Sequence, residues 1–290
     1  MVTGAGRGLG AALAVSLAQA GARIAAVGLE PDELAATVAR CGPGAGARAW
    51  TADVTGSDRM QAVAAEVVAH FGRVDVVVAN AGIGLGGLFG DADPAAFSRV
   101  IEVNLLGSAA TARAFLPALL ASRGYYLQVA SLAALAPAPL MTAYAASKAG
   151  AEAFAHALRG EVAHQGVAVG VAYLSWTDTD MVRAADEDEV LARIRAGLPG
   201  PAGRTAPLEP AVRRLVAGIG RRAPRVYGQP WVRTAAWLPR GLLPAMTARQ
   251  GSRAIARLDP GLLAEAGRPR APLGPGGRAA MPAQPAEPAD

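Results

Sequence analysis

Apolar positions along this chain follow two alternating periods. The clearest short run is residues 74–79, nearly continuous and rich in β-branched side chains, as a strand buried on both faces should be. Residues 23–27, 48–52, 125–130 and 167–173 read as further strands. Helical stretches fall between them at 11–20, 31–40 (Pro31 near the first turn), 57–71, 94–122 and 142–164. A short helix over 186–196, a longer one over 207–222 and a final edge strand at 225–227 follow. Only Met1 and Val2 precede Thr3, so either the native chain starts upstream or the first strand is very short. Alternation of strand and helix predicts an α/β fold, with a doubly wound, mainly parallel sheet between helices in three α/β/α layers.

Composition narrows the classes. At 290 residues without a central linker, the chain suits one large α/β domain. Its formal charge of +5 and pI near 10.0 raise the question of nucleic acid. The arginines are scattered, however, thickening only after Arg204, with no basic helix, zinc-ligand spacing or aromatic RNA-binding motif beside them. That excludes nucleic acid and leaves a weak attraction to a phosphorylated cofactor or a membrane surface. Cys41 is the only cysteine, so no intramolecular disulfide can form, which fits a reducing cytoplasm. No signal peptide and no apolar run long enough to span a bilayer is visible, and the expectation is a soluble cytoplasmic protein.

Candidate chemistry begins at Thr3-Gly4-Ala5-Gly6-Arg7-Gly8-Leu9-Gly10, which runs straight into a helical pattern. Glycines there would let backbone N–H groups approach a pyrophosphate at a helix N-terminus, as in a Rossmann-type strand–turn–helix. After the second strand stand Gly28, Leu29 and Glu30, where a dinucleotide fold places the group that reads the adenosine ribose. Gly28 is neither acidic nor basic, and Glu30 is expected to lie too far along to reach. Arg7, inside the glycine turn, could instead face a 2′-phosphate. Asp53-Val54 end the third strand, where the carboxylate could accept from an adenine amino group or cap the next helix. Asn80-Ala81-Gly82 end the next one, at a position that suits a tight turn and also a ligand crevice. Asn104, inside an apolar helix, needs a hydrogen-bond partner, a local kink or a water. Tyr144 and Lys148, four apart on one helix, share a face, so that an ammonium can favour ionisation of a phenol. Ser131 ends the strand just before them.

Together these residues resemble the short-chain dehydrogenases/reductases, over most of the chain from Val2 to about Tyr227. Thr3-Gly4, Gly8 and Gly10 match the family's glycine motif, Asp53 its adenine-side aspartate and Asn80-Ala81-Gly82 its Asn-Ala-Gly motif. Asn104, Ser131, Tyr144 and Lys148 match its catalytic tetrad. The resemblance implies hydride transfer between a nicotinamide, NADP or NAD with a lean to NADP, and an alcohol or carbonyl carbon. Tyr144 would be the general acid/base, Lys148 would favour the phenolate and hold the nicotinamide ribose, and Ser131 would fix the substrate oxygen. Asn104 would anchor a proton-relaying water. Leu174-Ser175 replaces the family's Pro-Gly turn, while Thr179 keeps the threonine that contacts the carboxamide. Ser147 has no assigned role, and His156 and His164 read as ordinary helix residues.

The expected organisation is a catalytic domain over 1–230 with a mobile substrate lid at about 174–205, a helical extension over 231–266 and a disordered tail over 267–290. Trp176 would wall the substrate pocket or pack in the core. Residues 231–243, mixing tryptophan, leucine and arginine, suit a helix packed on its own domain or a second subunit, a flap over the pocket, or a peripheral membrane contact. Those apolar loops also suggest an apolar substrate. The resemblance implies a homo-oligomer, a dimer or tetramer. A rival reading is a nucleotide sensor or scaffold without turnover, motivated by the short first strand and the lost Pro-Gly; a third is sugar epimerisation or dehydration, for which the expected substrate domain of roughly 100 residues is not visible.

Overall fold

A computed structural model describes residues 1–239, 241–268 and 270–281 of the chain. The elements run β1 (Val2–Thr3), α1 (Gly8–Gln19), β2 (Ala25–Gly28), α2 (Pro31–Cys41), β3 (Arg48–Thr51), α3 (Ser57–Phe71) and β4 (Val76–Ala79). The second half carries α4 (Pro94–Ile101), a π turn (Glu102–Leu106), α5 (Gly107–Ser122), β5 (Tyr125–Val129), α6 (Thr142–Val162) and β6 (Ala168–Tyr173). Then come α7 (Asp180–Glu187), α8 (Glu189–Ala196), α9 (Leu208–Gly220), β7 (Arg225–Tyr227), α10 (Pro230–Ala236), α11 (Leu242–Ile255), α12 (Pro260–Ala266) and α13 (Gly274–Ala279).

The sheet has seven strands in the order β3-β2-β1-β4-β5-β6-β7, and every pairing is parallel. β1 is only two residues long, yet it pairs with both β2 and β4, so the short start does not break the sheet. Alternate side chains of the apolar strands enter two cores. Val77 packs on the side of α3, α5 and α6, and Val78 on the side of α1, α2 and α9. Strand order reverses between β1 and β4, which opens a crevice at their carboxyl ends.

The helical stretch Pro94–Ser122 is, by length and hydropathy, long and apolar enough to cross a bilayer, which the sequence pattern alone did not suggest. Here it covers the sheet, with Phe115 and Leu119 fully buried. The expected single helix over 186–196 is two, because Asp188 ends α7 and caps α8 by accepting from the Leu191 N–H at 2.9 Å. Residues 270–281 are not disordered as expected. Leu273 and Ala280 pack into cores and α13 lies against α7, so the tail's few apolar groups find burial that its composition did not reveal. Residues 282–290 of that tail lie outside the described residues.

Candidate active site

β1 delivers the chain into the glycine turn. Gly4 has φ +61°, and a Cβ there would sit 2.9 Å from the Ala81 Cα; one on Gly10 would sit 2.1 Å from the Gly4 carbonyl oxygen. α1 starts at Gly8, and its first internal bond runs from the Ala11 N–H to the Arg7 carbonyl at 3.2 Å. The N–H groups of Gly8, Leu9 and Gly10 therefore have no helical partner and form a cradle for an anion. Thr3 and Asn80 brace this turn from behind. The Thr3 hydroxyl accepts from the N–H groups of Asn80 and Ala81 at 3.0 and 3.1 Å, and Asn80 Nδ2 donates to the Thr3 and Gly4 carbonyls at 2.9 and 3.3 Å.

Beside the glycine turn, at the end of the cleft near β2 and β3, Arg7 Nε donates to Glu30 at 3.0 Å, and a second Arg7 nitrogen bonds the same carboxylate. Glu33 and Asp180 stand 3.4 and 3.9 Å from the guanidinium. Glu30 lines the cleft beside Gly28, with its carboxylate bonded to Arg7 across the turn. Asp53 and Val54 line the same end. Burial alone would raise the Asp53 pKa, but the Thr55 N–H and hydroxyl and the Arg99 guanidinium hold it below the ordinary carboxylate value. Arg99 Nε also donates to the Ala280 carbonyl at 2.6 Å, which ties the tail to this corner.

The catalytic candidates converge at the carboxyl ends of β4 and β5. Asn104 is fully buried at the π turn, an irregularity that aims its amide at the loop after β4. Its Oδ1 accepts from the Ile83 N–H at 2.8 Å, and its Nδ2 donates to the Ile83 carbonyl and to Ser147 Oγ, both at 2.9 Å. Ser147, unassigned from sequence, passes the link on by donating to the Tyr144 carbonyl at 2.8 Å. Beneath the turn, Ser108 Oγ donates to the Asn104 carbonyl at 2.8 Å and accepts from Gln128 Nε2 at 3.0 Å, which roots Asn104 in β5.

Lys148 is the only lysine in the sequence. Its Nζ donates to the Val129 carbonyl at 3.1 Å and lies 5.7 Å from the Tyr144 ring centre. Burial without a carboxylate partner lowers its pKa to about 8. Burial raises that of Tyr144, and hydrogen bonding with Ser131 offsets part of the rise. Ser131 is fixed by accepting from the Ala133 N–H at 3.1 Å. Ala81, Gly82, Ser131, Tyr144 and Lys148 all line the cleft, whereas Thr3 and Asn104 stay behind it as braces. A Cβ on Gly82 would meet Asn104 Oδ1 and Lys148 Nζ, each at 3.1 Å, so the glycine lets these two groups flank one point.

Where Leu174-Ser175 replaces Pro-Gly, the loop is held by Gln229. Its Oε1 accepts from the Ser175 N–H at 2.9 Å and its Nε2 donates to the Thr177 hydroxyl at 3.0 Å. Thr179 lines the cleft opposite Gly8. The Ser175 hydroxyl, also on the cleft wall, is buried without a hydrogen-bond partner. Trp176 does not line this cleft; it packs beneath the Arg195 guanidinium, 4.8 Å from its ring, in a cluster with Tyr144, Leu191 and Leu262. Sequence spacing could have suggested Ser147, one residue before Lys148. Arg99 and Gln229 gave no signal of their place at the site, because Asp53 lies 46 residues from Arg99, and Ser175 and Thr177 lie 54 and 52 residues from Gln229.

A dinucleotide fits these residues. The glycine cradle has no room for a side chain, an unpartnered helix N-terminus faces the cleft, and the Glu30 and Asp53 carboxylates line it beside β2 and β3, where a ribose and an adenine would lie. Among the described residues, no cluster of histidine, cysteine and carboxylates suits a metal.

Comparisons with known proteins agree in kind. A family model described as short chain dehydrogenase matches residues 1–190. The 3-oxoacyl-acyl-carrier-protein reductase of Escherichia coli K12 is 32% identical over 210 residues, covering 71% of this chain and 85% of that protein. Of the solved structures, a metagenomic short-chain oxidoreductase in complex with NADP is 35% identical, covers 60% of this chain and 80% of its own, and superposes with a TM-score of 0.57. A short-chain dehydrogenase/reductase from Burkholderia phymatum in complex with NAD is 25% identical over 81% of this chain and 90% of its own, with a TM-score of 0.71.

Proposed function

The chain belongs to the short-chain dehydrogenase/reductase family, a nicotinamide-binding oxidoreductase fold, and from that premise we propose that it is an alcohol dehydrogenase or carbonyl reductase. The observation that carries this reading is the convergence of Ser131, Tyr144 and Lys148 on one cleft wall beside the glycine cradle. When bound, the nicotinamide supplies or accepts the hydride. Tyr144 is the general acid/base. Its raised pKa keeps the phenol protonated at neutral pH, ready to donate to the oxygen of a carbonyl substrate. Lys148, charged below about pH 8, favours the phenolate left behind and reaches for the nicotinamide ribose. Ser131 fixes the substrate oxygen, and Thr179 contacts the carboxamide. Asn104 braces the loop at Ile83 and anchors a water beside Lys148 for the return of the proton.

Several finer readings rest on the same site. The apolar cluster that packs against Tyr144 supports an apolar carbonyl substrate, a class that includes the acyl chain named for the Escherichia coli relative. Residues 174–205 act as the lid, with Arg195 linking the segment internally through a bond to the Gly203 carbonyl at 3.1 Å. Only a third of the most apolar stretch of Pro94–Ser122 is buried, which supports a dimer or tetramer. A cytoplasmic setting fits the lone buried thiol of Cys41. The two motives for a sensor without turnover weaken, since β1 pairs on both sides and Gln229 holds the altered loop. The test is a panel of alcohols and ketones followed by nicotinamide absorbance. Tyr144→Phe is expected to lower kcat by roughly 100-fold or more, with cofactor binding retained. Unchanged turnover in that variant would remove Tyr144 from the mechanism.

A further inference from the structure

From Pro210 to Leu258 the sequence holds ten arginines and no aspartate, glutamate or lysine, a run of one sign found nowhere else in the chain. The second part of this run folds as α10 and α11 and turns an unusual side to solvent. Trp237 is 78% exposed, and Leu238, Leu242 and Met246 are each exposed by about two fifths. Along α11 the residues Leu242, Met246, Arg249 and Arg253 follow at spacings of four, three and four, one solvent-facing stripe that begins apolar and ends basic. Arg257 continues it past the helix, and Arg233 on α10 precedes by four residues Trp237, which follows that helix's end. Among the described residues, none of Arg233, Arg249, Arg253 and Arg257 enters an ion pair. The opposite side of α11 is anchored: a Cβ on Gly251 would meet Pro139 at 2.6 Å, and Ile255 packs in the cluster that contains Tyr144. The stripe thus faces away from the side of α11 that packs on the rest of the protein.

We propose that α10 and α11 form a peripheral docking surface for an anionic lipid bilayer. The arginines supply charge complementary to the headgroups, while the tryptophan and the aliphatic tips enter the boundary with the acyl chains. Nucleic acid would answer the arginines but leave Trp237, Leu242 and Met246 without a solvent to replace water, and a second copy of the chain docked through the same face would bring Arg233, Arg249, Arg253 and Arg257 against their own like charges. This surface is independent of the hydride chemistry, since none of its residues lines the cleft.

The full chain is to be sedimented with vesicles of phosphatidylcholine alone or mixed with phosphatidylglycerol. Retention on the mixed vesicles is expected, with release by added salt and a blue shift of tryptophan emission that is lost in Trp237→Phe. Arg249→Gln with Arg253→Gln is expected to weaken retention roughly thirtyfold, from about a factor of five per arginine, and Leu242→Ser with Met246→Ser to reduce it further. Melting curves and binding of reduced nicotinamide cofactor are expected to stay unchanged in these variants. No retention, equal retention on phosphatidylcholine alone, or retention indifferent to the substitutions would overturn the proposal. So would duplex DNA binding that depends on the same arginines in place of vesicle binding, or a fall in oligomeric state in the Trp237 and Leu242 variants, which would assign the surface to a second copy.

Discussion

Lys148 is held where its charge is disfavoured, and the chain pays for that in stability. The ordinary lysine pKa is about 10.4, whereas here burial brings it to about 8. In the unfolded chain the amine keeps its proton up to the higher value. The folded state is therefore penalised below about pH 8, by an amount on the order of 3 kcal/mol, and the penalty fades as pH rises toward 10. Lys148→Met should raise the melting temperature by several degrees at neutral pH, and the gap to the parent should close by about pH 10; thermal melts across that range decide it, and a lower melting point at neutral pH would contradict the argument. The same variant should lose turnover, since a methionine cannot favour the phenolate. A second residue-scale balance sits at Glu30. Its carboxylate occupies Arg7, the one group of the glycine turn suited to a 2′-phosphate, and itself suits a 2′-hydroxyl. Freeing Arg7 by Glu30→Gln should move the ratio of kcat/KM toward NADP by roughly fivefold to tenfold, the worth of about 1 kcal/mol for a partly exposed pair. A shift toward NAD would show that Arg7 does not face that position. Tyr144, Lys148, Ser131 and Asn104 were singled out by their match to the family's motifs rather than by spacing alone; the pairing of Arg7 with Glu30 had no such signal, because it joins groups 23 positions apart across a turn.

At the scale of elements, the least expected is α13. Its composition, rich in glycine, proline and alanine, lacks the apolar periodicity from which a helix is read, and its burial depends on surfaces supplied by others. Leu273 and Ala280 line the cleft, Gly276 comes so near Arg7 that a Cβ would lie 3.3 Å from its Cδ, and the Ala280 carbonyl holds Arg99 beside Asp53. The segment thus forms an outer wall at the adenosine end. Ending the chain at Arg268 should weaken dinucleotide binding severalfold while leaving kcat at saturation nearly unchanged, as measured by titration of protein fluorescence and by steady-state kinetics. Tighter binding in the truncated chain would reveal a plug where we read a wall. The π turn at Glu102–Leu106 shows the complementary case. An asparagine inside an apolar helix announced a need for a partner, and the turn together with Ile83 and Ser147 meets it.

For the whole molecule, the alternation of short apolar runs with helical periods determined the layers, since a strand buried on both faces must be apolar throughout and a covering helix on one side only. The glycine turn, the Asn-Ala-Gly end of β4 and the Tyr144–Lys148 spacing are likewise local, with each motif carrying its own backbone reason within a few residues. By itself the sequence therefore determined the fold class, and through the family it resembles it pointed to the cofactor class and named the catalytic candidates. Tertiary structure alone decided what depends on distant partners meeting. It set the reversal of strand order between β1 and β4 that opens the cleft, the hold of Gln229 on the loop without Pro-Gly, and the three carboxylates around Arg7. It also decided which apolar side chains of α10 and α11 remain outside, because amphipathic spacing tells which residues share a side of a helix but not which side the rest of the protein covers.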